Sequence, residues 1–159
     1  MFVGLGAFAG AQTKSRVSRK AKKETKRMTH ASGEFDVKMT PQLADDKSGG
    51  AVGRYSVDKK FHGGLEGTSK ADMLAVRTAV EGSAGYVAME QVTGTLNGRS
   101  GTFALQHSGT MTRGTPQLSV TVVPDSGTGQ LKGIEGKMTI KIDGGKHSYD
   151  LEYTLAEEH

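Results

Sequence analysis

The chain has 159 residues and a net charge of +4, with 23 glycines, 3 prolines, no cysteine and no tryptophan. This length suits one domain with a real core and is short for two. The lack of cysteine excludes disulfides, thiolate nucleophiles, zinc–thiolate sites and iron–sulfur clusters. The composition favours short strands joined by tight glycine turns over a helical bundle.

The positive charge is concentrated at the N-terminus. Residues 1–27 hold eight lysines and arginines and a single acidic residue, Glu24, out of totals of 21 and 17. The remaining 13 bases and 16 acids give residues 28–159 a net charge of −3. Phosphate binding needs clustered bases, so we expect no nucleic-acid partner for this domain.

Residues 1–27 combine an apolar start, MFVGLGAFAGAQ, with a basic block, TKSRVSRKAKKETKR. A secretory signal has the opposite order, and a membrane span needs roughly 20 apolar residues. We therefore expect a cytoplasmic protein without a membrane span. We also expect residues 1–27 to be a disordered extension, which is explained if translation starts at Met28 rather than at Met1. The alternative is a basic arm that contacts anionic lipid or nucleic acid. In either case residues 28–159 form a single domain.

From residue 33 onward the alternation of apolar and polar residues predicts strands. GEFDVKM places Phe35 and Val37 on one face, and RYSVDKKF does the same with Tyr55, Val57 and Phe61. The runs that follow are MLAVRTAV, GYVAMEQVTGTL, GTFALQHSGTM, QLSVTVV, GKMTIKI and HSYDLEYTL. The segments between them, EGSA, NGRS, RGTP, PDSGTGQLKGIEG and DGG, are typical of turns and loops.

About eight strands with short hairpin links and no convincing helix predict an all-β protein, either a closed antiparallel up-and-down barrel or a sandwich. We favour the barrel because closure removes exposed strand edges. The repeated glycine pairs also supply the bends that a small barrel needs.

One hairpin contains a candidate chemical pair, Glu90 and His107. If Asn97-Gly98 is a two-residue type I′ turn, Glu90 pairs with Leu105, whereas a four-residue loop places Glu90 opposite His107. In both registers the two residues share the more apolar face. That face also holds Tyr86, Ala88, Val92, Phe103, Leu105 and Met111.

An inward carboxylate is rarely left unpaired, since stranding its charge costs several kcal/mol. Glu90 and His107 are within reach of each other across the strand pair. They form either a buried pair that fixes strand register or an acid–base pair in a barrel cavity. As a buried pair, they should tolerate the joint replacement Glu90→Met with His107→Leu, whereas each single replacement should cost about 1 to 3 kcal/mol.

Other candidates carry weaker signals. His62 and His147 lie beside glycine pairs at strand ends, where an exposed histidine is ordinary. No HxH or HxxxH spacing is present, so we expect no metal site. Arg77 would face the cavity diagonal to Glu90 if EGSA is a four-residue loop. The glycine-rich SGTGQLKGIEG lacks a nucleotide-binding pattern, and we expect no cofactor.

The runs FHGGLEGTSKADML, GRSGTFALQHSGTM, VVPDSGTGQLKG and GKHSYDLEYTL resemble a family of small bacterial proteins known as domain of unknown function 3224. The resemblance extends from about Met28 to the last strand. It implies a closed barrel similar to those of allene oxide cyclases and dirigent proteins, which bind apolar ligands and guide their cyclisation or coupling. A shared fold does not imply a shared reaction.

Three functions remain open. The first is a binding module for a small apolar ligand, with Glu90 and His107 orienting its polar group. The second is an isomerase or cyclase that uses these two residues as catalytic acid and base. The third is a structural or oligomer-forming protein with a filled barrel, and a homodimer or higher homo-oligomer is compatible with each function. The predicted ligand-binding residues are Tyr86, Phe103, Leu105, Arg77, Tyr149 and Tyr153, and the cavity wall is also predicted to include Ile140 and Leu151.

Overall fold

The computed structural model describes residues 26–42 and 52–156, which form a closed barrel of eight antiparallel strands in sequential order. The predicted all-β class and up-and-down topology are therefore confirmed. The strands are β1 Thr29–Pro41, β2 Gly53–Gly63, β3 Leu65–Arg77, β4 Ala84–Leu96, β5 Arg99–Thr112, β6 Thr115–Val122, β7 Glu135–Asp143 and β8 Lys146–Thr154. Residues 1–25, which make up most of the predicted N-terminal extension, lie outside the described residues. Among the residues described, no helix has the length and apolar character to cross a membrane.

Strand alternation determines which side chains enter the barrel. Val57 and Phe61 on β2 are buried as predicted, and the neighbouring Asp58 and Lys60 are exposed. The same alternation holds along β8, where Leu151 is buried. The two-residue period of the sequence thus separates the interior from the outer surface.

The β4–β5 hairpin has the two-residue turn. Asn97 and Gly98 both have left-handed φ angles, of 46° and 86°, as a type I′ turn requires. Glu90 consequently pairs with Leu105, and Ala88 pairs with His107. The alternative four-residue loop is wrong, and Glu90 is diagonal to His107.

The third strand differs most from its sequence pattern. It begins at Leu65, well before the run MLAVRTAV, and ends at Arg77, before that run is complete. After Leu65, its next inward positions are Gly67, Ser69 and Ala71, which are too small or too polar to produce an obvious apolar alternation. The loop to β4 covers residues 78–83 and is longer than EGSA.

The core fills one end of the barrel. The connection between β6 and β7 contains a short 3-10 turn, η1 Gly129–Leu131, and contributes two fully buried side chains, Leu131 and Ile134. They join a cluster contributed by all eight strands. Its members are Ala31, Phe35, Phe61, Leu65, Val92, Leu96, Phe103, Leu105, Val120, Val122, Leu131, Ile134, Met138, Tyr149, Leu151 and Tyr153.

The barrel wall is weakest between β6 and β7. Thr121 with Lys137 is the one residue pair that joins these strands in the described part of the chain, whereas β3 and β4 pair along their full length. In the described part of the chain, the halves of β6 and β7 at the end that the core does not fill are therefore not paired with each other.

Candidate functional site

Among the described residues, the unfilled half of the barrel encloses a cavity of about 920 Å³ that opens at the end opposite the core. The predicted alternative of a filled barrel is therefore wrong for this half. Most of the lining side chains are apolar. They include Val37, Met39, Val57, Met73, Ala75, Tyr86, Ala88, Leu118, Ile140 and Ile142.

Glu90 lies at the floor of the cavity, where the packed core begins. Its side chain has no exposed surface, and both carboxylate oxygens accept hydrogen bonds from neighbouring side chains. Ser69 donates its hydroxyl to Oε1 at 2.5 Å. Lys59 Nζ and His107 Nε2 donate to Oε2 at 2.7 and 2.6 Å. We call these four residues the floor cluster.

The strand registers bring the floor cluster together. Lys59 on β2 pairs with Ser69 on β3, and Ala71, two residues further along β3, pairs with Glu90 on β4. His107 on β5 lies one diagonal step further around the barrel. Diagonal neighbours on one face are within reach of long side chains, so four adjacent strands each contribute one polar group.

The floor cluster keeps Glu90 ionised. Burial by itself raises the pKa of this carboxyl, but the hydrogen bond from His107, the Lys59 ammonium and the Ser69 hydroxyl together lower it to about 2. Burial also raises the pKa of the nearby Tyr86 phenol, and the negative charge of Glu90 raises it further. At neutral pH Glu90 is therefore an anion and Tyr86 a neutral phenol.

Lys59 and Ser69 are the two members of the floor cluster that the sequence did not predict, and Lys59 is the charged one. Its ammonium lies 5.0 Å from the ring centroid of Phe35 and 5.8 Å from that of Phe61, and its side chain is 8% exposed. The signal was present, because Lys59 has the same strand parity as Val57 and Phe61. In the run DKK, however, two adjacent lysines are ordinarily assigned to a solvated face.

His107 presents one ring nitrogen to the cavity. A carboxylate can only accept hydrogen bonds, so Nε2 carries the proton that bonds to Glu90, and the neutral ring has its lone pair on Nδ1. Nδ1 makes no hydrogen bond to the described residues, and none of their fully buried polar side-chain atoms lacks a partner. Because His107 also lines the cavity, Nδ1 is open to a molecule bound there.

The model of a protein family of unknown function, DUF3224, matches residues 31–153. The chain belongs to the DUF3224 family. It is also similar to a crystal structure from Shewanella oneidensis MR-1, described as a protein with unknown function from the DUF3224 family. The two are 48% identical with a TM-score of 0.77, over 83% of this chain and 100% of that chain. No curated protein matches the chain at a significant level.

In this DUF3224 protein, two of the six predicted ligand-binding residues line the cavity, namely Tyr86 and Arg77. The Tyr86 ring lies across Gly109, where a side chain would collide with it. Arg77 pairs with Ala84 at the open end of the barrel, so its predicted position diagonal to Glu90 is wrong. The longer loop between β3 and β4 accounts for the difference, because it shifts the register.

The other four predicted ligand-binding residues, Phe103, Leu105, Tyr149 and Tyr153, are buried in the core and do not line the cavity. The Tyr149 hydroxyl accepts a hydrogen bond from the backbone of Leu65, and the Tyr153 hydroxyl accepts one from Asn97. These hydroxyls fasten turns at the closed end of the barrel. Alternation correctly placed the side chains inside but could not tell the packed half from the hollow half.

The two histidines expected at exposed strand ends differ from each other. His62 is partly exposed, with Nε2 3.2 Å from a carboxylate oxygen of Asp36. His147 is more enclosed than predicted, because it lines the cavity and its ring centroid is 5.2 Å from that of Phe35. The described residues contain no cluster of three or more potential metal ligands.

Proposed function

We propose that this protein binds a small, largely apolar molecule inside the barrel, with the floor cluster orienting one polar group of that molecule. The supporting observation is a cavity of about 920 Å³ with mostly apolar walls and a concentrated polar group at its floor. Ligand sites combine these two properties, because apolar walls supply affinity and a few fixed polar atoms supply orientation.

A purely structural role for the floor cluster would leave part of it unexplained. Both oxygens of Glu90 accept hydrogen bonds from within the floor cluster, but Nδ1 of His107 faces the cavity. Lys59 has three donor protons, and its hydrogen bond to Glu90 uses one of them. Hydrogen-bonding capacity therefore remains toward the cavity, where a bound molecule can use it.

An isomerase or cyclase is the second candidate, and the geometry of His107 favours it. A carboxylate on Nε2 fixes the ring and its tautomer, which leaves Nδ1 to take a proton from a bound molecule. In this scheme Glu90 is the positioning residue, because a carboxyl with a pKa of about 2 and three donors is a poor base. The likeness to allene oxide cyclases and the formation of a homo-oligomer stay predictions.

The binding proposal can be tested with a neutral apolar fluorophore, N-phenyl-1-naphthylamine, and a pair of phenylalanine variants. Ala75 on β3 lines the cavity, and Leu74 beside it has the outward parity and is exposed. We expect the wild type and Leu74→Phe to enhance the fluorescence equally, and Ala75→Phe to reduce it strongly. Equal enhancement by both variants, or none by the wild type, would contradict binding in the cavity.

The natural ligand can be sought by native mass spectrometry of protein purified from its own host. A co-purified small molecule retained by Leu74→Phe and lost from Ala75→Phe would identify it. If that molecule emerges chemically changed after incubation with the protein, the enzyme candidate is favoured over the binding module.

A further inference from the structure

We propose that the floor of the cavity is a head-group site for a monoanionic organic acid. In this site the Lys59 ammonium binds the acid's oxygens, and the apolar body of the acid fills the cavity above. The proposal rests on the binding function just described and names the chemical class of the ligand.

Lys59 supplies the charge for this site. Its ammonium is held at the floor by Glu90 and lies beside the Phe35 and Phe61 rings, and its side chain is 8% exposed. A hydrogen bond from a cation to an anionic oxygen is roughly twice as strong as a neutral one, and low exposure reduces its screening. The two unused donor protons of Lys59 therefore favour an anionic oxygen over a neutral one.

The charge balance of the cavity also favours an anion. Among the described lining residues, Lys59 and Arg77 are cationic and Glu90 is anionic, which leaves one net positive charge before either histidine is protonated. Glu90 is enclosed by three donors and cannot serve as the counter-ion of a bound amine. An ammonium at the floor would therefore meet like charge, whereas one carboxylate neutralises the cavity.

His107 limits where the acid group can bind. The lone pair on Nδ1 of the neutral ring would repel a carboxylate oxygen, whereas the Lys59 ammonium attracts one. We therefore expect the acid oxygens on Lys59 rather than on Nδ1. Among the described residues, the other charged and titratable groups that line the cavity are Tyr55 from β2, Arg77 from β3, Tyr86 and Glu90 from β4, and His147 from β8.

The dimensions of the cavity suit an extended apolar body. Ala71 marks the level of the floor and Arg77 the open end of β3, and six residues of strand span about 20 Å. The wall between them is formed by side chains such as Met73 and Ala75. A single acid group attached to an aliphatic or aromatic body of several carbons fits this distribution.

Isothermal titration calorimetry of the full chain can compare three eight-carbon probes that differ in their head group: octanoate, 1-octanol and octylammonium. We expect octanoate to bind about tenfold more tightly than 1-octanol, and octylammonium to bind more weakly than either.

The outcomes separate this proposal from the function on which it rests. Equal affinities for octanoate and 1-octanol, or a preference for octylammonium, would overturn the acid site while apolar binding stands. The same holds if N-phenyl-1-naphthylamine binds and no eight-carbon probe does. If neither the fluorophore nor any probe binds, the proposed function itself is wrong.

A pair of lysine substitutions tests the assignment to Lys59. Replacing Lys59 with Met and Glu90 with Gln together removes the cation without stranding the carboxylate, and should abolish the tenfold preference while retaining 1-octanol binding. The matched control is Lys60→Met, the adjacent lysine on the outer face, which should keep the preference. Retention of the preference by the double variant would overturn the assignment. If that variant does not fold, the wild-type titrations still decide the acid site.

Discussion

Glu90 makes the stability of the barrel depend on pH. Its folded pKa of about 2 lies below the ordinary 4.5, so ionisation of this carboxyl favours the folded state. The contribution is fully present above pH 4.5 and is lost as the pH falls toward 2. From the size of the shift it amounts to about 3 kcal/mol.

At neutral pH we expect the wild type to have a higher free energy of unfolding than Glu90→Gln. This difference should shrink as the pH falls from 4.5 to 2.5. Urea melts of both proteins at pH 7, 4.5, 3.5 and 2.5 measure it. Other carboxylates titrate in both proteins, so the comparison isolates Glu90. A difference that stays constant over this window would show that Glu90 is not stabilised as an anion.

The sequence alone predicts that Glu90 and His107 can be replaced together by apolar residues without loss of stability, and the presence of Lys59 changes this prediction. Glu90→Met with His107→Leu removes the anion and leaves the Lys59 ammonium buried without a counter-ion, which costs several kcal/mol. We therefore expect this double variant to be destabilised by about 2 to 4 kcal/mol. We expect stability equal to or above that of the wild type only in the triple variant, which also carries Lys59→Met.

Urea melts of the double and triple variants measure this coupling directly. The control is Lys60→Met added to the double variant, which removes an exposed ammonium and should restore nothing. If the double variant is as stable as the wild type, Lys59 finds solvent without Glu90, and the floor cluster is a pair rather than a network.

The inward parity of Glu90 and His107 could be predicted because both turn lengths considered for their hairpin place them on the same face. Lys59 and Ser69 could not be found in the same way. Each belongs to a strand whose sequence gives a weaker signal, a lysine in a charged run and a serine among small residues. The burial of Lys59 can be recognised only once the structure places the Glu90 carboxylate beside it.

At the scale of elements, the hairpin turns offer a test of how backbone conformation contributes to stability. Asn97 in the β4–β5 turn and Arg113 in the β5–β6 turn both have a φ of 46°. Asparagine tolerates this left-handed conformation better than most residues, and Asn97 also donates hydrogen bonds to the His30 carbonyl and the Tyr153 hydroxyl. Arginine has no such advantage at its position.

We expect Arg113→Asn to raise the free energy of unfolding by about 0.5 kcal/mol, and Asn97→Ala to lower it by about 1 to 2 kcal/mol. Thermal or urea melts of the two single variants measure these opposite effects. Stabilisation by Asn97→Ala, or a clear loss from Arg113→Asn, would mean that side-chain contacts rather than the φ angle dominate these turns.

The sequence predicted some strand boundaries and missed others, depending on the residues at each boundary. The turns at Asn97 and at the Gly144-Gly145 pair were predicted because glycine and asparagine mark left-handed positions. The start of β3 was not predicted, because the inward residues that follow Leu65 are Gly67, Ser69 and Ala71, which give no apolar period to detect. The small residues on β3 leave room for Lys59 and Glu90, so the feature that hides the strand helps to make the site.

At the scale of the whole molecule, the sequence predicts a barrel but not which half of it is hollow. Inward side chains alternate along every strand in both halves. The difference arises because Leu131 and Ile134, from the connection between β6 and β7, are buried at one end. The cavity follows from this asymmetry, and the floor cluster lies at the level where packed side chains give way to open space.

The barrel also defines what a minimal folded unit should contain. Strand β1 begins at Thr29, and the ladders to β2 and β8 close the barrel without residues 1–27. Among the described residues of that segment, Lys26 forms an ion pair with Glu135 at 2.6 Å, but the two side chains are 37% and 64% exposed. Exposed pairs of this kind contribute little to stability.

We therefore expect deletion of residues 1–27 to leave the melting temperature within about 3 °C of the full chain. Circular dichroism melts of both proteins measure this, with full-length Glu135→Gln as the control that removes the Lys26 ion pair alone. A truncated protein that melts much lower than Glu135→Gln, or that precipitates, would show that the N-terminal segment packs on the barrel, and the domain boundary at residue 28 would be wrong. Equal melting temperatures would instead assign the folded unit to residues 28–159, whose net charge is −3 although the whole chain carries +4.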